Sequence, residues 1–283
     1  MARTFAQAVD QLATVRDFIR FGASQFEHHR LAYGHGTTGA WDEAVYLALH
    51  TLALPIDRLE PFLDARLLKD ERVALARIYR RRIEERIPAA YLTGEAWLGD
   101  LRFRVDARVI VPRSYIAEVL RDDLAPLGID ESTVGRVLDL CTGSACLALV
   151  AALRFAQAHV DAVELSHDAL ALAHANVDDY GLAGRVALFE GDLYAPLGTR
   201  RYDLIVTNPP YVDAAAMAAL PAEYRHEPVD ALAGGADGLD IVRRIVAHAA
   251  RHLTAHGVLM MVVGNSRAAL VAAYPRLPFS WVE

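Results

Sequence analysis

The chain has 283 residues, 54% hydrophobic and 23% charged, with a formal net charge of −7. That is enough apolar material for one large core or two smaller ones. With 18 Gly, 12 Pro and 2 Cys it excludes a mainly disordered chain, a collagen-like repeat and a disulfide scaffold. The acidic balance also argues against a surface given over wholly to nucleic acid.

Residues 1–95 read as helical. Val9, Leu12, Val15, Phe18, Ile19 and Phe26 recur at helical spacing between charged residues. After the Gly-bearing break YGHGTTGA a second helix fits DEAVYLALHTLAL, with Asp42 and Glu43 at its positive end. A third fits Lys69 to Arg86 and stops before Pro88. Within it, Arg80–Arg82 followed by Glu84 and Glu85 reads as a solvated, paired face. These residues carry 13 basic and 13 acidic side chains, against 16 and 23 in the remainder.

The period then changes. Ala96–Leu98 and Leu101–Val105 flank Gly99–Asp100 as a hairpin, and Arg108–Val111 continues as strand, so residues 96–113 read as a linker between two domains. Ser114 is placed to cap a helix to about Leu124. From residue 134 short apolar strands alternate with helices: VGRVLDL, AHVDAVEL, RVALFE, YDLIVTN, GVLMMVVG and FSWVE. This alternation predicts an α/β domain over 114–283, a mostly parallel sheet wound on both faces, with ligands beyond the carboxyl ends of its strands. No apolar run approaches the roughly 18 to 20 residues of a membrane span, and MARTFAQAVDQL lacks the apolar stretch of a secretory signal. Cys141 and Cys146 fit neither a disulfide framework nor a zinc site, so the expected compartment is the cytoplasm. His248, His252 and His256 lie four apart, but no acidic ligand accompanies them and no metal is expected.

Four features carry chemistry. In VLDLCTGSACLAL, residues 137–149, a strand ends near Asp139 and a loop of small residues (Cys141, Thr142, Gly143, Ser144, Ala145) opens a helix, so a ligand can approach the backbone there. Glu164 ends the next strand, where a carboxylate can accept from both hydroxyls of a ribose. Asp192 follows the third strand and can accept from an exocyclic amine. Asn208-Pro209-Pro210-Tyr211 follows YDLIVT directly. Its prolines supply no N–H, and Pro209 biases Asn208 toward extended backbone. The Asn208 side-chain oxygen and a backbone carbonyl can therefore grip the two hydrogens of a planar NH2 group, with Tyr211 stacked beside it.

The order Asp139, Gly143, Glu164, Asp192, Asn208-Pro-Pro-Tyr resembles a class I S-adenosylmethionine-dependent methyltransferase that methylates amino groups. AYLTGEAWL, VIVPRS, EYRHEP and LAGGADGLD resemble the HemK/PrmB family of protein-glutamine N5-methyltransferases. YGHGTTGAWDEAVYL is similar to the branch acting on large-subunit ribosomal protein three. The resemblance implies S-adenosyl-L-methionine as cofactor and a ribosomal protein as partner, without sequence-specific nucleic acid binding. It implies that the Cys141–Ala145 loop and Glu164 hold the methionine and ribose, that Asp192 and Leu193 flank the adenine, and that Asn208, Pro209 and Tyr211 hold the substrate amide. Arg113, Glu223 and Glu227 would shape the substrate mouth, and the helical domain would dock substrate. Position 145 is Ala where the family has Gly, and the family continues through a seventh strand beyond Glu283, so an exposed sheet edge is expected. Three other readings stand beside this one: the release-factor branch, a nucleic-acid amino-methyltransferase, which needs a basic channel, and a non-catalytic assembly factor.

Overall fold

A computed structural model describes residues 2–282. The chain forms two compact units, Met1–Ala96 with Pro221–His226, and Trp97–Leu220 with Glu227–Glu283.

The first unit is built on α1 (Ala2–Gln11), α2 (Val15–His28), α3 (Ala40–Thr51), α4 (Lys69–Glu84) and the short α5 (Ala89–Thr93). The helical spacing that runs through Val9 and Val15 is interrupted between them. Thr14 closes a reciprocal cap: its hydroxyl accepts the Asp17 N–H and the Asp17 carboxylate accepts the Thr14 N–H at 3.0 Å. The cap starts a new helix where hydrophobic periodicity alone suggested none. Phe18, Ile19, Phe26, Leu47, Leu75 and Tyr79 form the core. Gly22 sits mid-helix because a Cβ there would lie 2.5 Å from the Tyr79 ring, and the ring's hydroxyl donates to the Ala44 carbonyl at 2.8 Å.

The α4 arginines divide in a way their spacing does not reveal. Arg80 and Arg81 make exposed i,i+4 pairs with Glu84 and Glu85, as expected. Arg82 does not join that face and is fully buried. Its Nε donates to Glu43 at 2.6 Å, one Nη to Glu223 at 3.3 Å and the other to the Ala32 carbonyl at 2.8 Å. Glu223 also accepts from the Ala32 N–H and from Arg86. Burial alone would raise the Glu223 carboxyl, but the Ala32 amide, Arg82 and Arg86 together hold it below the ordinary range. This network explains why residues 221–226 belong to the helical unit although the chain on either side belongs to the other.

The second unit opens with the hairpin of β1 (Glu95–Leu98) and β2 (Leu101–Arg104), turned at Gly99 in the left-handed region. The strand expected at Arg108–Val111 does not form. Residues 106–109 turn instead, and the Val111 N–H goes to the buried Glu227 carboxylate at 2.9 Å. The helix expected from Ser114 is one turn, α6 (Ile116–Val119), and the Ser114 hydroxyl caps nothing. There follow β3 (Arg136–Leu140), α7 (Cys146–Arg154), β4 (His159–Glu164), α8 (His167–Asp179), β5 (Val186–Glu190), β6 (Tyr202–Thr207), α9 (Ala214–Ala219), α10 (Asp240–His252), β7 (Leu253–Met261) and α11 (Arg267–Ala273). The five strands β3–β7 are all parallel, in the order β5-β4-β3-β6-β7.

The order winds outward from β3 in both directions. Right-handed crossovers therefore place α7 and α8 on one face and α10 on the other, and leave a crevice between the carboxyl ends of β3 and β6. Period-2 alternation sets what β3 presents there. Leu138 and Leu140 join a core with Ile205, Tyr202 and Ile245 of α10, whereas Asp139 points to the other face and accepts the Ala148 N–H of α7. FSWVE is not a strand over its described residues, 279–282. Phe279 stacks at a tilt on Trp281, and both pack on Leu239, Val242 and Leu270 rather than pairing with the sheet. β7 has one strand neighbour and only half-buried or exposed residues.

Arg82→Ala should leave Glu43 and Glu223 facing each other as buried carboxylates. The expected loss is about 3–5 kcal/mol at pH 7, measured by urea denaturation of the helical unit's tertiary signal.

Candidate functional site

Four adjacent strands bring the candidate residues to one rim. Register pairs Leu140 with Val163 on one side and with Thr207 on the other, and Glu164 with Glu190 beyond. Asp139, Glu164, Asp192 and Asn208 thus lie at the carboxyl ends of neighbouring strands, spaced by about 4.8 Å per strand step. Two bonds lock the strand ends: the Thr207 hydroxyl donates to the Leu140 carbonyl at 2.8 Å, and the Thr142 N–H to the Val163 carbonyl at 3.1 Å.

The loop after β3 is strained. Cys141, Gly143 and Ala145 alternate in the left-handed region at φ 58, 56 and 63. A Cβ at Gly143 would meet nothing within 4 Å, so the loop faces open space there. For Cys141 and Ala145 the left-handed backbone costs roughly 1–2 kcal/mol each. Leu193, just after Asp192, adds a third such residue at φ 51. Strain of this kind on two neighbouring loops of one rim makes the rim a candidate site.

Glu164 is aimed by two backbone amides, Gly143 N–H at 2.8 Å and Ser166 N–H at 3.0 Å. Asp139 is fully buried; one oxygen accepts the Thr142 hydroxyl at 2.5 Å and the Ala148 N–H at 3.0 Å, and the other has no partner. Burial drives its carboxyl up to about 7, against the pull of Thr142 and Ala148, and the Glu164 charge adds to the rise. The Asn208 side-chain oxygen is likewise buried and unpartnered. A buried acceptor left empty costs about 1–3 kcal/mol, so two on one rim point to a ligand that donates to them. Cys141 supplies no nucleophile: burial, Glu164 and Asp139 push its thiol far above the ordinary range.

The methyltransferase small domain family matches residues 124–223, the segment that carries this rim. A ribosomal protein uL3 glutamine methyltransferase of Burkholderia pseudomallei is 58% identical over 276 residues, covering 95% of this chain and 90% of the relative. One from Bordetella pertussis is 56% identical over 273 residues, covering 96% and 92%. One from Neisseria gonorrhoeae is 53% identical over 280 residues, covering 99% and 93%. The chain belongs to the ribosomal protein uL3 glutamine methyltransferases. The five-stranded parallel sheet with its helices is the class I methyltransferase fold.

In this methyltransferase Tyr211 is held by glycines distant in sequence. A Cβ on Gly264 would stand 2.6 Å from its ring, one on Gly234 would stand 2.7 Å from its Cα, and one on Gly238 would stand 2.4 Å from its carbonyl oxygen. Val212, next in the chain, forms a parallel bridge with Ala233. LAGGADGLD is therefore the cradle of the Asn-Pro-Pro-Tyr segment, which its glycine content signals and its position in sequence does not. Pro209 is buried and Pro210 half-buried.

The other candidates separate. Arg113 grips Glu227 with both Nη atoms, at 2.5 and 2.7 Å, and Glu227 also takes the Val111 N–H, so the pair fixes residues 111–113 from within the second unit. Glu223 lies in the helical unit's ion network. Asp192 is half-exposed and accepts from Arg244 at 2.6 Å. His252 stacks on Tyr194 at 4.5 Å and His256 lies in β7, so the three histidines share no face, and no metal-binding cluster exists among the described residues. One residue that braces the candidate site escaped the sequence altogether. Asn176 of α8 is buried, donates to the Ser144 carbonyl at 2.9 Å and exchanges bonds with the Arg104 backbone, bracing the strained loop. A lone Asn in ALALAHANVDD gives no signal of this.

Gly264→Ala should displace the Tyr211 ring and lower kcat/KM at least about tenfold with the fold retained, read by methyl transfer beside circular dichroism. Asp139 makes a separate forecast. Its carboxyl titrates higher in the folded chain than in the unfolded one, so its contribution to stability is intact below about pH 4 and falls away up to about pH 7, by roughly 4 kcal/mol at most. Asp139→Asn should flatten that part of the stability profile; overlapping urea midpoints across the window would contradict it.

Proposed function

We propose that the chain transfers a methyl group from S-adenosylmethionine to the side-chain amide nitrogen, N5, of a glutamine in ribosomal protein uL3. The observation that carries this reading is the Asn208 oxygen, a buried acceptor without a partner at the tip of the interior strand β6, beside the central β3. The relatives' names supply the protein substrate.

The rim fits the cofactor. The free Asp139 oxygen can accept from the methionine end, the open Gly143 loop admits a close ligand, and Glu164, oriented by two amides, can accept from both ribose hydroxyls. Leu193 and Asp192 would border the adenine. When bound, S-adenosylmethionine supplies an electrophilic methyl on a sulfonium.

The chain's own work is positioning. An amide nitrogen is a poor nucleophile because its lone pair is delocalised into the carbonyl. Asn208 Oδ1 and the Pro209 carbonyl accept the two N–H bonds, fix the nitrogen's orientation, and favour the tetrahedral nitrogen of the transition state. Tyr211, fixed by Gly234, Gly238 and Gly264, flanks the carboxamide plane. The Arg113–Glu227 pair holds residues 111–113 at the substrate mouth. No strong general base is needed, since the methylated nitrogen is acidic enough to release its proton to water. Among the described residues no helix is long and apolar enough to cross a membrane, and a ribosomal protein substrate supports a cytoplasmic setting for the reaction.

Asn208→Ala should lower kcat by on the order of 10² or more, followed with labelled cofactor and uL3. Mass spectrometry of uL3 from cells with and without the gene should show one methyl group lost from a glutamine. Methylation of a release factor in place of uL3 would redirect the reading to that branch.

A further inference from the structure

Beside the rim, the segment from Asp192 after β5 and the helix α10 line an open groove of about 610 Å³ on the second unit. That volume lies within the range of sites for small organic ligands. Its walls are basic: Arg201 from the start of β6, and Arg244, His248 and Arg251 from α10. The α10 residues sit at i, i+4 and i+7, so one helical stripe faces the groove. Tyr194 and His252, stacked and buried, line it as well, and the His252 Nδ1 is engaged by the Arg200 carbonyl at 3.0 Å.

The charge here runs against that of the protein. The chain carries −7 and its second part holds the whole excess of acid. Of the groove's residues only Asp192 is acidic, and Arg244 neutralises it at 2.6 Å. Arg201 uses one Nη on the Leu253 carbonyl and leaves the rest of its fork available. Arg251 is exposed and makes no ion pair or hydrogen bond among the described residues. Two guanidinium groups thus face a concave space with no counter-charge, next to a loop end that reaches the rim at Asp192. Unpaired arginines in one concavity repel each other and are suited to bidentate recognition of phosphate.

We propose that this groove is a phosphate-binding site for a nucleotide, free or as part of an RNA strand, adjoining the methyl-transfer rim at Asp192 and Leu193. Arg201 and Arg251 carry the phosphate contacts, and Arg244 positions the wall through Asp192.

The test uses the full chain with three probes: inorganic phosphate, a ribonucleoside monophosphate and a single-stranded oligoribonucleotide of about ten residues. Saturable binding of phosphate-bearing probes is expected, weakened at least tenfold in Arg201→Ala/Arg251→Ala. Arg251→Glu, on an exposed position, serves where loss of the Leu253 contact disturbs folding. Methyl transfer to a short glutamine peptide should be unchanged in both variants, so the outcome is independent of the catalytic reading. If the source is a strand, the oligonucleotide binds more tightly than the monophosphate and loses about sevenfold in affinity between about 50 and 200 mM salt, as expected for two phosphates neutralised. If the source is a free nucleotide, the two bind equally. Absence of saturable binding by all three probes, or binding that both variants retain, overturns the proposal.

Discussion

The parallel pairing of β3 with β6 is the constraint on which the site depends. It places the ends of two strands 67 residues apart side by side, locked by the Thr207 hydroxyl on the Leu140 carbonyl. Because the strand order turns back at this pair, no crossover covers the gap between their carboxyl ends. The two buried oxygens without partners, on Asp139 and Asn208, belong to these two strands' tips. Were both satisfied within the chain, the tips of these two strands would offer no free acceptor to a ligand.

The cost of that arrangement is distributed around it. Cys141, Ala145 and Leu193 hold left-handed backbone without being glycine, and Asp139 is buried with its titration displaced. The same neighbourhood supplies rigidity: Asn176 holds the loop by the Ser144 carbonyl, Thr142 and Ala148 hold Asp139, and three glycines admit Tyr211 at distances no larger residue permits. Methyl transfer to an amide asks for orientation more than for acid–base power, and a rim built from backbone amides, unpaired acceptors and a wedged ring provides orientation.

Charge is used differently in the two units. In the helical unit, buried Arg82, Glu43 and Glu223 form a network with half-buried Arg86 that captures residues 221–226. In the second unit, Arg113 and Glu227 form a buried pair with the Val111 amide. Beside α10, Arg251 of the helix and Arg201 before β6 instead line a groove without counter-charge, while Arg244 is paired with Asp192. The first two arrangements fix chain segments; the third leaves affinity unused by the fold.

Much of this was legible in the residues alone. Period-2 runs, small loop residues and a double proline are local signals, so the strands β3 to β7, the loop after β3 and the Asn-Pro-Pro-Tyr tip could be placed from the sequence. Resemblance added the reaction. The expected strands at 108–111 and 279–282 failed because apolar alternation does not name a sheet partner; the first yields its amide to Glu227 and the second packs on α10 and α11. What only the tertiary structure decided are the pairings across long separations: Arg82 with Glu223 across 141 residues, Arg113 with Glu227 across 114, Asp192 with Arg244 across 52, and Tyr211 with Gly264. A local pattern fixes which face of a helix or strand a residue takes, but its partner on that face is chosen by how the elements pack, and neither charge nor spacing along the chain contains that choice.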